Sequence, residues 1–197
     1  MLPIFLNILP LLSLFGFVLA TPSRTHVVIG YRNVVDYKAH AYNEAGTLVW
    51  FPASSFQLGD VVYLSTGPRD WPYYPWFCII EARIDKWAKV PKIWIPKYDD
   101  CGNFLWDDEE AIENYITDLG YDPEKTVRIA EIHKLEDFIQ TALPEGLLNS
   151  EGGGLDLRAQ CFDGWKKLPA KDVVPWYDWD IVNHPDDYSS SSEGENE

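Results

Sequence analysis

The chain has 197 residues, and its 31 acidic side chains against 16 Lys and Arg give a formal net charge of −15. A surface this acidic repels nucleic-acid phosphates and anionic lipid headgroups over a Debye length, which argues against both as partners through general attraction. With 46 % apolar residues, the chain has enough side chain to bury for one domain of ordinary size.

Residues 1–20, MLPIFLNILPLLSLFGFVLA, carry no charged side chain and end in Val18-Leu19-Ala20. This is the pattern of an export signal cleaved near Ala20. It predicts a secreted protein with no membrane association after cleavage. Residues 21–183 are then a single domain, and residues 184–197, HPDDYSSSSEGENE, form an acidic tail too polar to offset its ordering entropy. In an exported chain two of Cys78, Cys101 and Cys161 are expected to be bonded. Three pairings are open; Cys101 in DDCGN and Cys161 near a strand end read as accessible, and Cys78 in WFCII as buried. The histidines stand apart at 26, 40, 133 and 184 and there is no CxxC pair, so no structural zinc is expected.

In chain order, HVVIGYR (26–32) predicts a buried strand, and VVDYKAHAYNEAG a helix closed by Gly46. TLVWF is a short strand or a loop. The run Val61-Val62-Tyr63-Leu64, between Gly59 and Gly67-Pro68, predicts a strand. After it come Trp71, Tyr73, Tyr74, Trp76 and Phe77, spaced by Pro72 and Pro75, too stiff and too aromatic for a linker. This stretch reads as a lid over something or as a plug in the core.

CIIEARI and VPKIWIPK give two more strands. WDDEEAIENYITDLG predicts a helix with acids in its first turn, Ile112, Tyr115, Ile116 and Leu119 on one face, and Gly120 as its stop. TVRIAEIH is a strand, KLEDFIQTALPEGLLNS is mixed, and LDLRAQC is the last strand. The SEGGG stretch (150–154) reads as a hairpin turn, because it lacks the Lys-Ser/Thr of a phosphate-cradling loop. VVPWYDWDIV (173–182) reads as a strap across the domain. Trp87, Trp94 and Trp106 are assigned to the core, and Trp71, Trp76, Trp176 and Trp179 to the surface. The irregular alternation of elements predicts an α+β fold with a split, mostly antiparallel sheet and a few helices.

The ordered set HVVIGYR, a helix with AGTL, QLGDVVYLST with its aromatic run, and a later strand before ALPEGLL resembles small secreted fungal members of the ADP-ribosyltransferase superfamily, with a heat-labile-enterotoxin-like or PARP-like catalytic fold. The resemblance covers about residues 26–150. It implies NAD as the substrate, with Tyr31 and Arg32 of the first strand at the NAD phosphates or ribose, Tyr63 against nicotinamide, and Ser65 and Thr66 orienting the pocket. The chemistry fits these residue types. Cleaving the nicotinamide bond develops positive charge on ribose, so a site needs rings to hold the leaving group, a cation for the pyrophosphate and a carboxylate for the ribose.

The family acid stands four residues before a proline. Here that position, in QTALP, is Gln140, with Glu136 and Glu131 as the nearby acids. The resemblance therefore implies a mono-ADP-ribosyltransferase with a protein acceptor, or an NAD glycohydrolase, acting as a host-directed effector. The glutamine departure favours the alternative of a degenerate binding protein on the same scaffold. A glycan-cleaving carboxylate pair is a weaker third reading, since no spacing singles out two acids. No GxSxG motif supports serine hydrolysis.

Overall fold

The computed structural model describes residues 25–52 and 56–185. The expected signal peptide, residues 186–197 of the expected tail, and the side chains of Glu136 and Asp137 lie outside the described residues. Seven strands form one open sheet: β1 (His26–Val34), β2 (Val62–Ser65), β3 (Trp76–Arg83), β4 (Lys92–Trp94), β5 (Val127–Ile132), β6 (Leu135–Leu143) and β7 (Arg158–Phe162). The strand order is β4-β5-β6-β2-β1-β3-β7, and every pair is antiparallel except β4 with β5. Helices α1 (Asp36–Ala45), α2 (Ile84–Trp87) and α3 (Glu109–Asp118) complete an α+β domain. No described helix is long and apolar enough to cross a membrane.

Both faces of the sheet are covered, and strand alternation sorts the side chains between them. One face carries the main core, with Ile29, Val34, Val62, Leu64, Cys78, Ile80, Ile129, Ile139 and Leu143 beneath Ala39 and Tyr42 of α1. On the other face Ile112 and Ile116 of α3 pack over Ala130 and Ala142 in one half of the sheet. Leu168 and Val174 pack over Tyr31, Phe77 and Ile79 in the other half. Helix α3 begins at Asp108, whose side chain accepts from the Ala111 N–H at 3.0 Å, and Glu109 and Glu110 follow in its first turn.

Residues 135–143 are one continuous strand and not the mixed segment expected. Ile139 and Leu143 lie in the main core while Ala142 lies under α3, and β6 is paired on both sides, with β5 and with β2. Two buried faces and two neighbours hold this stretch extended. Glu136 consequently sits near the β5–β6 turn, several residues along a strand from Gln140.

The disulfide joins Cys78 to Cys161, which are register partners on β3 and β7, and leaves Cys101 exposed and free. Cys161 is buried where the sequence suggested access. The cause is Asn43 of α1, whose side chain accepts from Cys161 N–H at 2.7 Å and donates to its carbonyl at 3.0 Å, covering the outer edge of β7. Such a bond persists in oxidising compartments and is consistent with an extracellular protein.

Trp87, Trp94 and Trp106 are buried as expected. Trp71, Trp76, Trp176 and Trp179 are half-buried and not exposed. For the last two the reason is the strap: Trp176 stacks on Trp94 at 6.1 Å and Trp179 meets Trp87 edge-on at 5.0 Å. Val182 pairs its N–H with the Lys92 carbonyl and its carbonyl with Trp94 N–H, both at 2.9 Å, closing the free edge of β4.

Candidate functional site

The sheet opens at its middle. The register between β1 and β2 is a single pair, Tyr31 with Ser65. There the strands come very close, because a Cβ on Gly30 would stand 2.7 Å from Leu64 Cβ and 3.1 Å from the Ser65 carbonyl. Beyond that point they diverge, and Arg32 reaches across with Nη1 donating to the Tyr63 carbonyl at 2.8 Å. A cavity of about 480 Å³ lies at the divergence, within the usual range for small-molecule sites.

Three groups of residues line it. Arg32, Val34, Val35 and Lys38 come from the end of β1 and the start of α1; Gln57, Tyr63, Ile132 and Gln140 come from the β5–β6–β2 side; Tyr37, Trp71, Tyr73 and Tyr74 form an aromatic wall. Asn33 pins that wall. Its Nδ2 donates to the carbonyls of Tyr74 at 2.6 Å and Trp76 at 2.8 Å, and its Oδ1 accepts from Tyr74 N–H. The stretch after β2 is thus a fixed wall with Tyr73 left 76 % exposed.

Tyr63 holds its own loop in place. Its hydroxyl accepts from Leu58 N–H and donates to the Gly59 carbonyl, each at 2.8 Å, and burial raises its pKa. Gly59 has φ +94°, and a Cβ there would sit 1.9 Å from Glu109 Oε2 and 2.5 Å from Arg128 Nη1. Buried Arg128 donates through Nη1 to Glu109 Oε1 and to the Leu58 carbonyl, both at 2.7 Å. The tight turn before β2 is therefore set by an ion pair between α3 and β5.

Gln140 is 3 % exposed, pairs in register with Ser65, and donates through Nε2 to the Glu131 carbonyl at 3.3 Å. That carbonyl also accepts from Gln57 Nε2 at 2.7 Å, while Gln57 Oε1 accepts from His133 N–H at 2.9 Å. Glu131 reaches this cluster by its main chain. It pairs in register with Ile139, a main-core residue, so its side chain points to the face away from Gln140. The carboxylate of Glu136 lies outside the described residues.

Arg32, Tyr63 and Gln140 therefore meet in one cavity. Tyr31, Ser65 and Thr66 stand behind it and are absent from its described lining. The Tyr31 ring packs with Phe77 and Leu168, and its hydroxyl donates to the Asp172 carbonyl at 2.8 Å. Burial, with a smaller effect of the Asp172 charge, pushes its pKa up to about 12. Ser65 Oγ donates to the Gly67 carbonyl at 2.8 Å and lies 3.3 Å from the Tyr31 carbonyl, and the Thr66 carbonyl accepts from Val174 N–H at 2.9 Å. These residues fix the pivot from which the two strands diverge.

Sequence reasoning passed over Asn33, Lys38 and Gln57. Lys38 carried a signal, because Val34, Val35, Ala41 and Tyr42 occupy the positions three and four residues away, where a helical lysine finds its ion-pair partner. Burial, and then the positive charge of Arg32, lower the Lys38 pKa. Among the described residues no group of three or more His, Cys, Asp or Glu is placed to hold a metal ion. A second, open recess along β7 has no aromatic side chain in its lining.

A family profile matches residues 56–184, most of the chain, and the chain belongs to that family, the family of unknown function DUF5910. No curated protein and no solved structure matches it.

Proposed function

We propose that this chain is an exported NAD-using protein of the ADP-ribosyltransferase type, acting as an NAD glycohydrolase or a mono-ADP-ribosyltransferase. The observation that carries the reading is the meeting of Arg32, Tyr63 and Gln140 at the point where β1 and β2 part. Residues far apart in the chain supply there a cation, a ring and an amide around a space of nucleotide size. In the reaction the bond between nicotinamide and ribose breaks, nicotinamide departs with the bonding electrons, and water or a protein nucleophile adds to the ribose carbon. Tyr63 and the wall of Trp71 and Tyr74 would hold the planar leaving group, Arg32 the phosphates, and Gln140 a ribose hydroxyl.

A second reading, a catalytically degenerate binding protein on the same scaffold, draws support from Gln140. A neutral amide offers no charge to an oxocarbenium-like ribose, and the described lining of the cavity holds no carboxylate. The deciding experiment is nicotinamide release from NAD by the purified exported protein, followed by chromatography, with Arg32→Ala as control. Release that is lost in the variant supports the enzyme. No release at high protein concentration, with or without added acceptor proteins, supports the binding protein.

A further inference from the structure

Lys38 and Arg32 line this cavity together. Among the described residues neither has a carboxylate within ion-pair distance, in a chain whose acids outnumber its bases by nearly two to one. Arg32 gives Nη1 to the Tyr63 carbonyl, while its Nε is buried with no hydrogen-bond partner among the described residues. Lys38 Nζ lies 5.1 Å over the Phe51 ring, a contact that orients the ammonium without neutralising it. Burial first, and the neighbouring Arg32 charge second, lower the Lys38 pKa.

Two like charges held together and half-desolvated are costly unless a multivalent anion joins them. Phosphate oxygens are the acceptors that suit a guanidinium and an ammonium side by side. The adjoining wall of Trp71, Tyr73 and Tyr74 selects a ligand that also carries a flat ring.

We infer that Lys38 is a phosphate-binding residue which, together with Arg32, seats a diphosphate, so that the cavity prefers nucleoside diphosphates and their esters to monophosphates. This deepens the reading of the cavity as an NAD site and rests on it for the identity of the nucleotide. Lys38 enters as a specificity determinant, with Arg32 gripping both ligand classes and Lys38 reached only by the second phosphate.

The test is calorimetric titration of the full protein with ADP and with AMP, comparing wild type, Lys38→Met and Lys38→Arg. Among the described residues the Lys38 side chain makes no hydrogen bond, and it is partly exposed, so Lys38→Met should keep the thermal unfolding of the wild type. We expect ADP to bind more tightly than AMP, Lys38→Met to weaken ADP about tenfold and AMP much less, and Lys38→Arg to restore the difference. ADP binding should also fall steeply as salt rises. Equal losses for ADP and AMP, or an ADP affinity untouched by Lys38→Met, would overturn the inference, as would a lack of ADP binding to the wild type. Lys38-dependent ADP binding without nicotinamide release from NAD would sustain the diphosphate seat and remove the proposed enzyme activity. Nicotinamide release with no role for Lys38 would do the reverse.

Discussion

Lys92 makes the stability of this domain depend on pH in a way that one substitution isolates. It lies on β4, is 2 % exposed, donates to the carbonyls of Trp87 at 2.6 Å and Val90 at 3.1 Å, and sits 4.8 Å from the Trp87 ring centre. Burial lowers its pKa from 10.5 to about 8, with the Asp180 charge offsetting part of the shift. The unfolded chain holds this proton more tightly than the folded one, so stability rises as pH increases through about 8 and levels off near 10.5.

At about pH 9.5 the gain over about pH 7 is about 2 kcal/mol, from the shifted and unshifted pKa values and 1.36 kcal/mol per unit. Lys92→Met removes the titrating group and keeps most of the buried stem. Its cost relative to wild type should grow by about 2 kcal/mol between those two pH values. Urea unfolding followed by tryptophan fluorescence reads this, since Trp87 and Trp179 lie in contact beside the amine. The raised tyrosine pKa values act in both proteins and cancel in the difference. Parallel pH profiles for wild type and Lys92→Met would refute the reasoning.

The wall of the cavity should come loose in Asn33→Asp, which replaces two donors by an oxygen facing the carbonyls of Tyr74 and Trp76. Amide exchange should then rise in residues 71–76 while the sheet stays protected, and unchanged exchange there would refute the clamp. Gly59→Ala should lower stability by about 2 kcal/mol or more, because its φ of +94° and the contact with Glu109 and Arg128 leave no room for a methyl group. Wild-type thermal unfolding in that variant would contradict this account. Native protein treated with an alkylating agent should take a single adduct, at Cys101, and three after reduction and unfolding. Cys78→Ser combined with Cys161→Ser should cost about 2–5 kcal/mol in a denaturant titration, and no loss would show that β7 is held without the bond.

Much of this domain was determined by local sequence alone. HVVIGYR and TVRIAEIH became strands and WDDEEAIENYITDLG a helix, because alternation, caps and stop signals are short-range properties of the chain. The α+β class followed from their order. Residues 135–143 resisted the same treatment, since what keeps them extended is pairing with β5 and β2, which no local pattern records.

Only the tertiary structure chose Cys161 as the partner of Cys78, through the β3–β7 register. It alone also sorted the candidate residues. Adjacent residues on a strand point to opposite faces, so Arg32 was sent into the cavity and Tyr31 into the packing behind it, and Glu131 was turned away from Gln140. Sequence supplied the side chains of the candidate site. Which of them meet was decided by where β1 parts from β2, a consequence of one close contact at Gly30 and of long-range strand pairing.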